Sequence, residues 1–453
     1  MGLRTFRKIN SGSLHLCRPR LFPFAEAGDN YTCVSPISVE LENYYGLKRS
    51  KSSHMLLPIS ASDDDLFSPL KAKMNCADRA LSSPCTITSS RDSTPLSPLS
   101  ENPLLSPLSP SATCSSSSSA KLRSLVLKSS EGMKSGFEPS LAEDSTGGSY
   151  FLRDSTGAIV LVFKPVDEEL NAPNNPHAFS SSPGTSYKGR IAPGSGMVRE
   201  QVAFLLDRES FAGVPETDVG TVTSATFATR KIGSLQRYVR SCCSAEEMGW
   251  LKFDEDDSMR IAVLDIRLCN LDRHAGNVLL TEPSNNAKYR LVPIDHGFCL
   301  PHVLSMSEVT FDWHHWPQIK NPIPEALRQY VSRLDAQQDI ADIKASVGNA
   351  ITEPYLLTLE VCTMLLQQGV EQGLNLHEIS GFMLEDFSET SCLQRLVNRT
   401  IRRVVNGTST AETDAAVSEE MLAMALEASG ALFRLELRKD INDAISSILK
   451  SRN

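Results

Sequence analysis

Apolar residues follow two regimes along this chain. Between about 144 and 235 they come in short alternating runs. Ser149 to Arg153 and Ala158 to Phe163 read as strands, with Asp154-Ser-Thr-Gly157 between them as a hairpin turn. A Ser/Pro/Gly/Asn stretch from Asn171 to Gly196 breaks the pattern. Val198, Val202 and Leu205 then stand at helical spacing within Met197 to Arg208. Val219 to Thr229, rich in Val and Thr, reads as one or two more strands. From Ser244 the period lengthens. Ser244 and Glu247 have capping-box spacing. Glu255, Asp256 and Asp257 put negative charge where a helix over Met259 to Leu268 would start. Val278 to Leu280 and Tyr289 to Ile294 read as strands around the turn Pro283 to Asn286. Amphipathic helices follow at about 324–334, 354–368, 376–386, 391–404 and 417–436, with a loop from Gly407 to Thr413 between the last two. The pattern predicts an α+β, bilobal fold: a strand-rich N-lobe at about 144–235, a helical C-lobe at about 240–450, and one crossover between them.

Residues 1–140 fit neither regime and are expected to be a disordered Ser/Pro-rich region before a catalytic domain at 141–450. From Leu81 to Ser119 more than half the residues are Ser or Pro, a Pro-Leu-Ser-Pro-Leu theme recurs, and five serines end the stretch. Such a segment has too little apolar surface to offset the entropy of ordering. Ser83, Thr94, Ser97, Ser106 and Ser109 each precede proline, as targets of proline-directed kinases do; the same stretch reads equally as a plain linker.

Composition narrows the functional classes. The chain has 453 residues and a net charge of -9, without the basic excess of a nucleic-acid binder. No apolar run reaches the ~18–20 residues of a membrane helix, so any membrane contact is expected to be peripheral. The 11 cysteines are scattered and form no CxxC pair, as expected of reduced thiols in the cytosol or nucleus. The first acid is Glu26, after Arg4, Arg7, Lys8, Arg18 and Arg20; this start reads as a basic disordered segment more readily than as a transit peptide.

One ordered set of residues carries chemistry. Phosphoryl transfer from ATP needs cations on the phosphates, a group that orients the nucleophile, and metal ligands. Lys164 ends the apolar run Ala158 to Phe163, and Glu200 lies in the next helix. Gly147-Gly-Ser-Tyr150 precedes the first strand, where Gly148 and its neighbours could set backbone N–H groups on phosphate oxygens. Asp272-Arg-His-Ala-Gly-Asn277 has the Asp-to-Asn spacing of a kinase catalytic loop. Asp295, at the end of a strand before His296 and Gly297, stands where such folds keep a metal ligand. Taken singly, a strand-end lysine usually reaches for water and a loop aspartate usually bonds its own backbone. Their ordered combination is what points to a kinase. There is no GxxxxGK[ST] loop, no GxSxG and no HExxH.

Those residues resemble the signature of the phosphatidylinositol 3-/4-kinase family. Further strings are similar to the type II and, more closely, the plant gamma-type phosphatidylinositol 4-kinases: Gly147-Gly-Ser-Tyr-Phe151, Phe163-Lys-Pro-Val-Asp-Glu-Glu169, Arg199-Glu200, Gly233-Ser-Leu-Gln-Arg-Tyr-Val239, Leu264-Asp-Ile-Arg267 and Phe311-Asp-Trp-His-His-Trp-Pro-Gln318. The resemblance covers about 144–350. It implies Ser149 and Tyr150 in the phosphate-binding loop, Lys164 on the α/β phosphates with Glu200 as partner, and Gln236, Arg237, Tyr238 and Val239 as the adenine-binding hinge. It implies Asn277 and Asp295 on Mg²⁺ or Mn²⁺, with Asp272 or His274 taking the acceptor's proton. The segment after Gly297, through about Gln318, would be the activation loop. The palmitoylated cysteine cassette of type II enzymes has no counterpart between Lys164 and Glu200. The resemblance implies ATP as co-substrate and transfer to the 4-hydroxyl of phosphatidylinositol. Alternatives are a Ser/Thr protein kinase on the same scaffold and a nucleotide-binding scaffold without turnover.

Overall fold

Period-two alternation builds a sheet at the head of the ordered chain. The computed structural model describes residues 109–177, 187–283, 288–385, 390–407 and 417–452. Six strands, β1 (Ser111–Cys114), β2 (Ser140–Leu141), β3 (Tyr150–Arg153), β4 (Ile159–Pro165), β5 (Thr217–Thr223) and β6 (Lys231–Arg237), lie in the order β1-β5-β6-β4-β3-β2. Every pairing is antiparallel. On β4, Leu161 and Phe163 are fully buried on one face, so Lys164 projects from the other.

Helix α1 (Ala120–Lys134) covers the first face. Its Leu122, Val126 and Met133 share one cluster with Leu152, Leu161, Phe163 and Leu235. Ser119 caps it by accepting the Leu122 N–H at 3.1 Å, and Ser130 Oγ accepts the Ala112 N–H at 2.9 Å, tying helix to edge strand. This corrects the expected boundary: ordered structure starts at Ser111, not near 141, and the five-serine run is a connection and a helix cap. The inward stripe of α1 carries Ser129 and Ser130 among its apolar residues, both buried, so composition masked a helical period. The disorder expected for the preceding residues, and the Ser83, Thr94, Ser97 and Ser106 sites, lie outside the described residues.

The opposite face takes α2 (Gly196–Leu206). Val198, Val202 and Leu206 are fully buried in a cluster that also includes Val219 of β5 and Leu264, Cys299 and Ile343 of the following lobe. One helix therefore packs on both lobes.

Residues 238–242 cross into the helical lobe. There β7 (Cys243–Ser244), β8 (Val278–Pro283) and β9 (Tyr289–Pro293) form a second antiparallel sheet beside α3 (Glu255–Leu268), α4 (Glu325–Ser332), α5 (Ala336–Val347), α6 (Glu353–Glu371), α7 (Leu376–Gly381), α8 (Cys392–Asn406) and α9 (Glu419–Ser451). Ile261, Ile266, Trp313, Leu365, Ile379 and Phe433 anchor its core. The capping box at Ser244 and Glu247 is present, but it closes one 3-10 turn rather than starting a longer helix. The last helix runs past the expected end to Ser451, bent at Ser429. Most of the expected Pro283–Asn286 turn and of the loop after Gly407 lies outside the described residues.

Candidate active site

Two elements converge on Lys164. Its Nζ stands 2.6 Å from Glu200 Oε1 and 3.1 Å from Asp295 Oδ1. Burial pushes the ammonium's pKa down, but Asp295 and Glu200 outweigh it and the group ends above its usual range. Burial pushes Glu200 up; Lys164, then His296, overcome this and hold the carboxyl well below the usual range. The pair is therefore an ammonium carboxylate at any working pH. Glu200 also accepts a long hydrogen bond from Gln236 Nε2 at 3.5 Å.

The helix that carries Glu200 is set by a residue the sequence reading passed over. Ser195, at the cap position of α2, makes no side-chain cap. Glu169 caps it from the segment after β4: Oε2 accepts the N–H groups of Gly194 and Gly196 at 2.7 and 3.1 Å, and Oε1 accepts that of Met197 at 3.0 Å. Burial raises its pKa to about 7 against the pull of these donors.

The catalytic loop follows α3, which ends on Cys269 in the left-handed conformation (φ 47°). Asn277 Nδ2 donates to the Asp272 carbonyl at 3.0 Å, which leaves its amide oxygen to face a ligand. The Ile294 N–H donates to the Asn277 carbonyl at 3.0 Å, so Asp295 follows directly from a residue bonded to the loop. Arg273, fully buried, ties the parts together: Nε bonds both Asp265 oxygens at 2.9 and 3.1 Å, and Nη1 donates at 2.6 Å to the Asn277 and Ile294 carbonyls. Trp313 Nε1 adds a bond to Asp265 Oδ2 at 2.9 Å. The motif showed an arginine at 273 but not its partner, because Asp265 lies in the preceding helix. Asp295 itself has φ 57°, a strained backbone for a side-chain-bearing residue.

The other expected residues divide. His274 is exposed, with no hydrogen bond or ion pair to Lys164, Glu200 or Asp295 among the described residues; an added Cβ on Gly276 would meet its ring at 2.9 Å. In the phosphate-binding segment the Gly148 N–H donates to the Glu168 carbonyl at 2.7 Å, and the Tyr150 hydroxyl donates to Glu168 Oε2 at 2.7 Å. Ser149, between them, is half-buried at the loop end. At the hinge, Gln236 turns inward to Thr217 Oγ1 at 2.9 Å, Arg237 pairs with Glu216, and the Tyr238 N–H donates to Val160. The expected activation loop is firmly packed, with Val303, Met306, Phe311, Trp313 and Trp316 all buried.

The donors at the cleft are hard oxygens. Asp295 has a second carboxylate oxygen beyond the one on Lys164, and Asn277 has its amide oxygen. This fits Mg²⁺ or Mn²⁺, which take one or two protein oxygens and fill the rest from phosphates and water.

An antiparallel sheet with a lysine paired to a helix glutamate, set over an Asp-to-Asn loop and a strand-end aspartate, defines a kinase-like protein. The chain belongs to the phosphatidylinositol 3- and 4-kinase family, whose model matches residues 145–379. It is 38% identical over 320 residues to phosphatidylinositol 4-kinase gamma 4 of Arabidopsis thaliana, covering 66% of this chain and 56% of that one. It is 35% identical over 298 residues to phosphatidylinositol 4-kinase gamma 4 of Oryza sativa subsp. japonica, covering 63% and 52%. The chain thus spans about half the length of the curated relatives it matches. Among solved structures, the Helicobacter pylori proinflammatory kinase CtkA aligns at 14% identity over 54% of this chain and 94% of that chain, with a TM-score of 0.24.

Proposed function

We propose that this chain transfers the γ-phosphoryl group of ATP to the 4-hydroxyl of phosphatidylinositol, giving phosphatidylinositol 4-phosphate and ADP. The observation that carries the reading is the Lys164–Glu200–Asp295 cluster next to the Asp272-to-Asn277 loop. Relatives named as phosphatidylinositol 4-kinases support the lipid acceptor and the position. Lys164 binds the α/β phosphates, and Glu200 keeps its ammonium aimed. Asn277 and Asp295 would hold the divalent cation, which when bound neutralises charge on the β and γ phosphates. Asp272 orients the inositol hydroxyl and receives its proton. The Val239 backbone binds adenine.

Labelled ATP, phosphatidylinositol vesicles and a generic protein acceptor in one tube test the reading. The expected outcome is label in lipid, co-migrating with the 4-phosphate rather than the 3-phosphate. Label in protein alone, or in neither acceptor, overturns it.

A further inference from the structure

The segment between β4 and α2 does something its Ser/Gly-rich sequence does not announce. Its described end, from Tyr187, lies on the C-lobe. The Gly189 N–H donates to Glu308 Oε2 at 3.1 Å, and its carbonyl accepts the His302 N–H at 3.0 Å. Gly189 has φ 60°, and a Cβ there would stand 2.3 Å from Leu271 and 2.7 Å from Pro301, so only glycine fits against the catalytic loop. The Arg190 guanidinium reaches Glu419 at 2.8 Å, and its carbonyl accepts the Tyr355 hydroxyl at 2.7 Å. Ile191 is buried in the C-lobe core.

This anchoring delivers one side chain to the chemistry. Lys188 Nζ stands 3.0 Å from Asp272 Oδ1 and 5.9 Å from the centroid of the Phe298 ring. Both partners are about one-third exposed, and exposed pairs typically contribute only ~0–1 kcal/mol to stability. Stability does not account for so constrained a lysine.

The reaction does. A carboxylate at 272 must stand beside a γ-phosphoryl group whose three equatorial oxygens carry charge in the transition state. Two anions in one cleft repel. Lys164 is already engaged by Glu200 and Asp295. We infer that Lys188 is a further catalytic residue, whose ammonium bridges the Asp272 carboxylate and an equatorial oxygen of the γ-phosphoryl group during transfer. The acceptor oxygen attacks the γ-phosphorus. The bond from that phosphorus to the β–γ bridging oxygen breaks, and its electron pair leaves on ADP. The hydroxyl proton passes to Asp272, and Lys188 stays protonated throughout.

This inference rests on the phosphotransfer reading above, so the test separates the two. The full chain is compared with its Lys188→Met, Lys188→Arg and Tyr355→Phe variants. Affinities for ADP and for a non-hydrolysable ATP analogue are measured with Mg²⁺, and turnover is followed on phosphatidylinositol vesicles. Lys188→Met should cut kcat by about 100-fold or more and raise KM for ATP only several-fold. It should weaken analogue binding several-fold and leave ADP binding alone, because ADP lacks the group that Lys188 meets. Lys188→Arg should restore part of the loss. Tyr355→Phe, which removes one anchor but keeps the ammonium, should stay near wild type. The inference is overturned if Lys188→Met leaves analogue binding at wild-type strength or weakens both nucleotides equally. A wild-type chain inert on the vesicles would sink the functional reading instead, and the nucleotide affinities would still decide Lys188.

Discussion

Asp272 and Asn277 were legible because their relation is local: five positions apart, and held by the Asn277 side chain on the Asp272 carbonyl. Asp272→Asn keeps that backbone bond and removes the charge. It should lower turnover by orders of magnitude while nucleotide affinity persists; near-wild-type kcat would remove Asp272 from its role. Lys188 was illegible for the opposite reason. Its partner lies 84 residues away, and nothing in Tyr-Lys-Gly-Arg marks a contact at that range. Histidine 314 gives a separate test at this scale. Burial, then neighbouring His377, holds its pKa down at about 4 against the usual 6.5. On acidification the unfolded chain takes up this proton first. Its contribution is therefore whole above pH 6.5 and is lost as pH falls toward 4. His314→Gln should flatten the fall in melting temperature across that window; an unchanged slope would exclude the assignment.

At the scale of elements, the strands and most C-lobe helices followed their apolar periods, and the misses share a cause. Helix α1 has serines on its buried stripe, and α5 buries Asp339 beside Ile340, Ile343 and Val347. Each is a polar sequence made helical by the surface it meets. Removing residues 1–140 would take away β1, α1 and Ser140 of β2 and open Leu161 and Phe163 to water. Burial of side chains such as Leu122, Val126 and Met133 contributes about 1.5–3 kcal/mol each. That truncation should aggregate or melt early, whereas a chain beginning at Ser109 should keep the wild-type melting temperature; a stable, active 141–453 fragment would contradict the packing described. The Glu169 cap predicts a second effect. Glu169→Ala should destabilise the protein by about 1–2 kcal/mol and lower kcat through the position of Glu200, as chemical denaturation and turnover would report. Unchanged values of both would show that α2 needs no cap.

For the whole molecule, the two lobes and the cleft between them were readable from the change of period near 240, but the join was not. It consists of contacts made by α2 in both directions. Arg199, the neighbour of Glu200, donates to the Cys299 carbonyl at 2.8 Å and the Leu300 carbonyl at 3.4 Å across the cleft. Arg199→Ala would strand buried acceptors and should reduce unfolding free energy by about 1–3 kcal/mol, measured by denaturant titration; wild-type stability would show that the join lies elsewhere. The segment at Tyr187–Ile191 has a mechanical consequence as well. It is moored to one half of the molecule, and the helix it feeds lines the other half. The link from Ile191 to Gly196 can be drawn out to at most about 17 Å. While the mooring holds, the two lobes can part only as far as this leash allows on that flank.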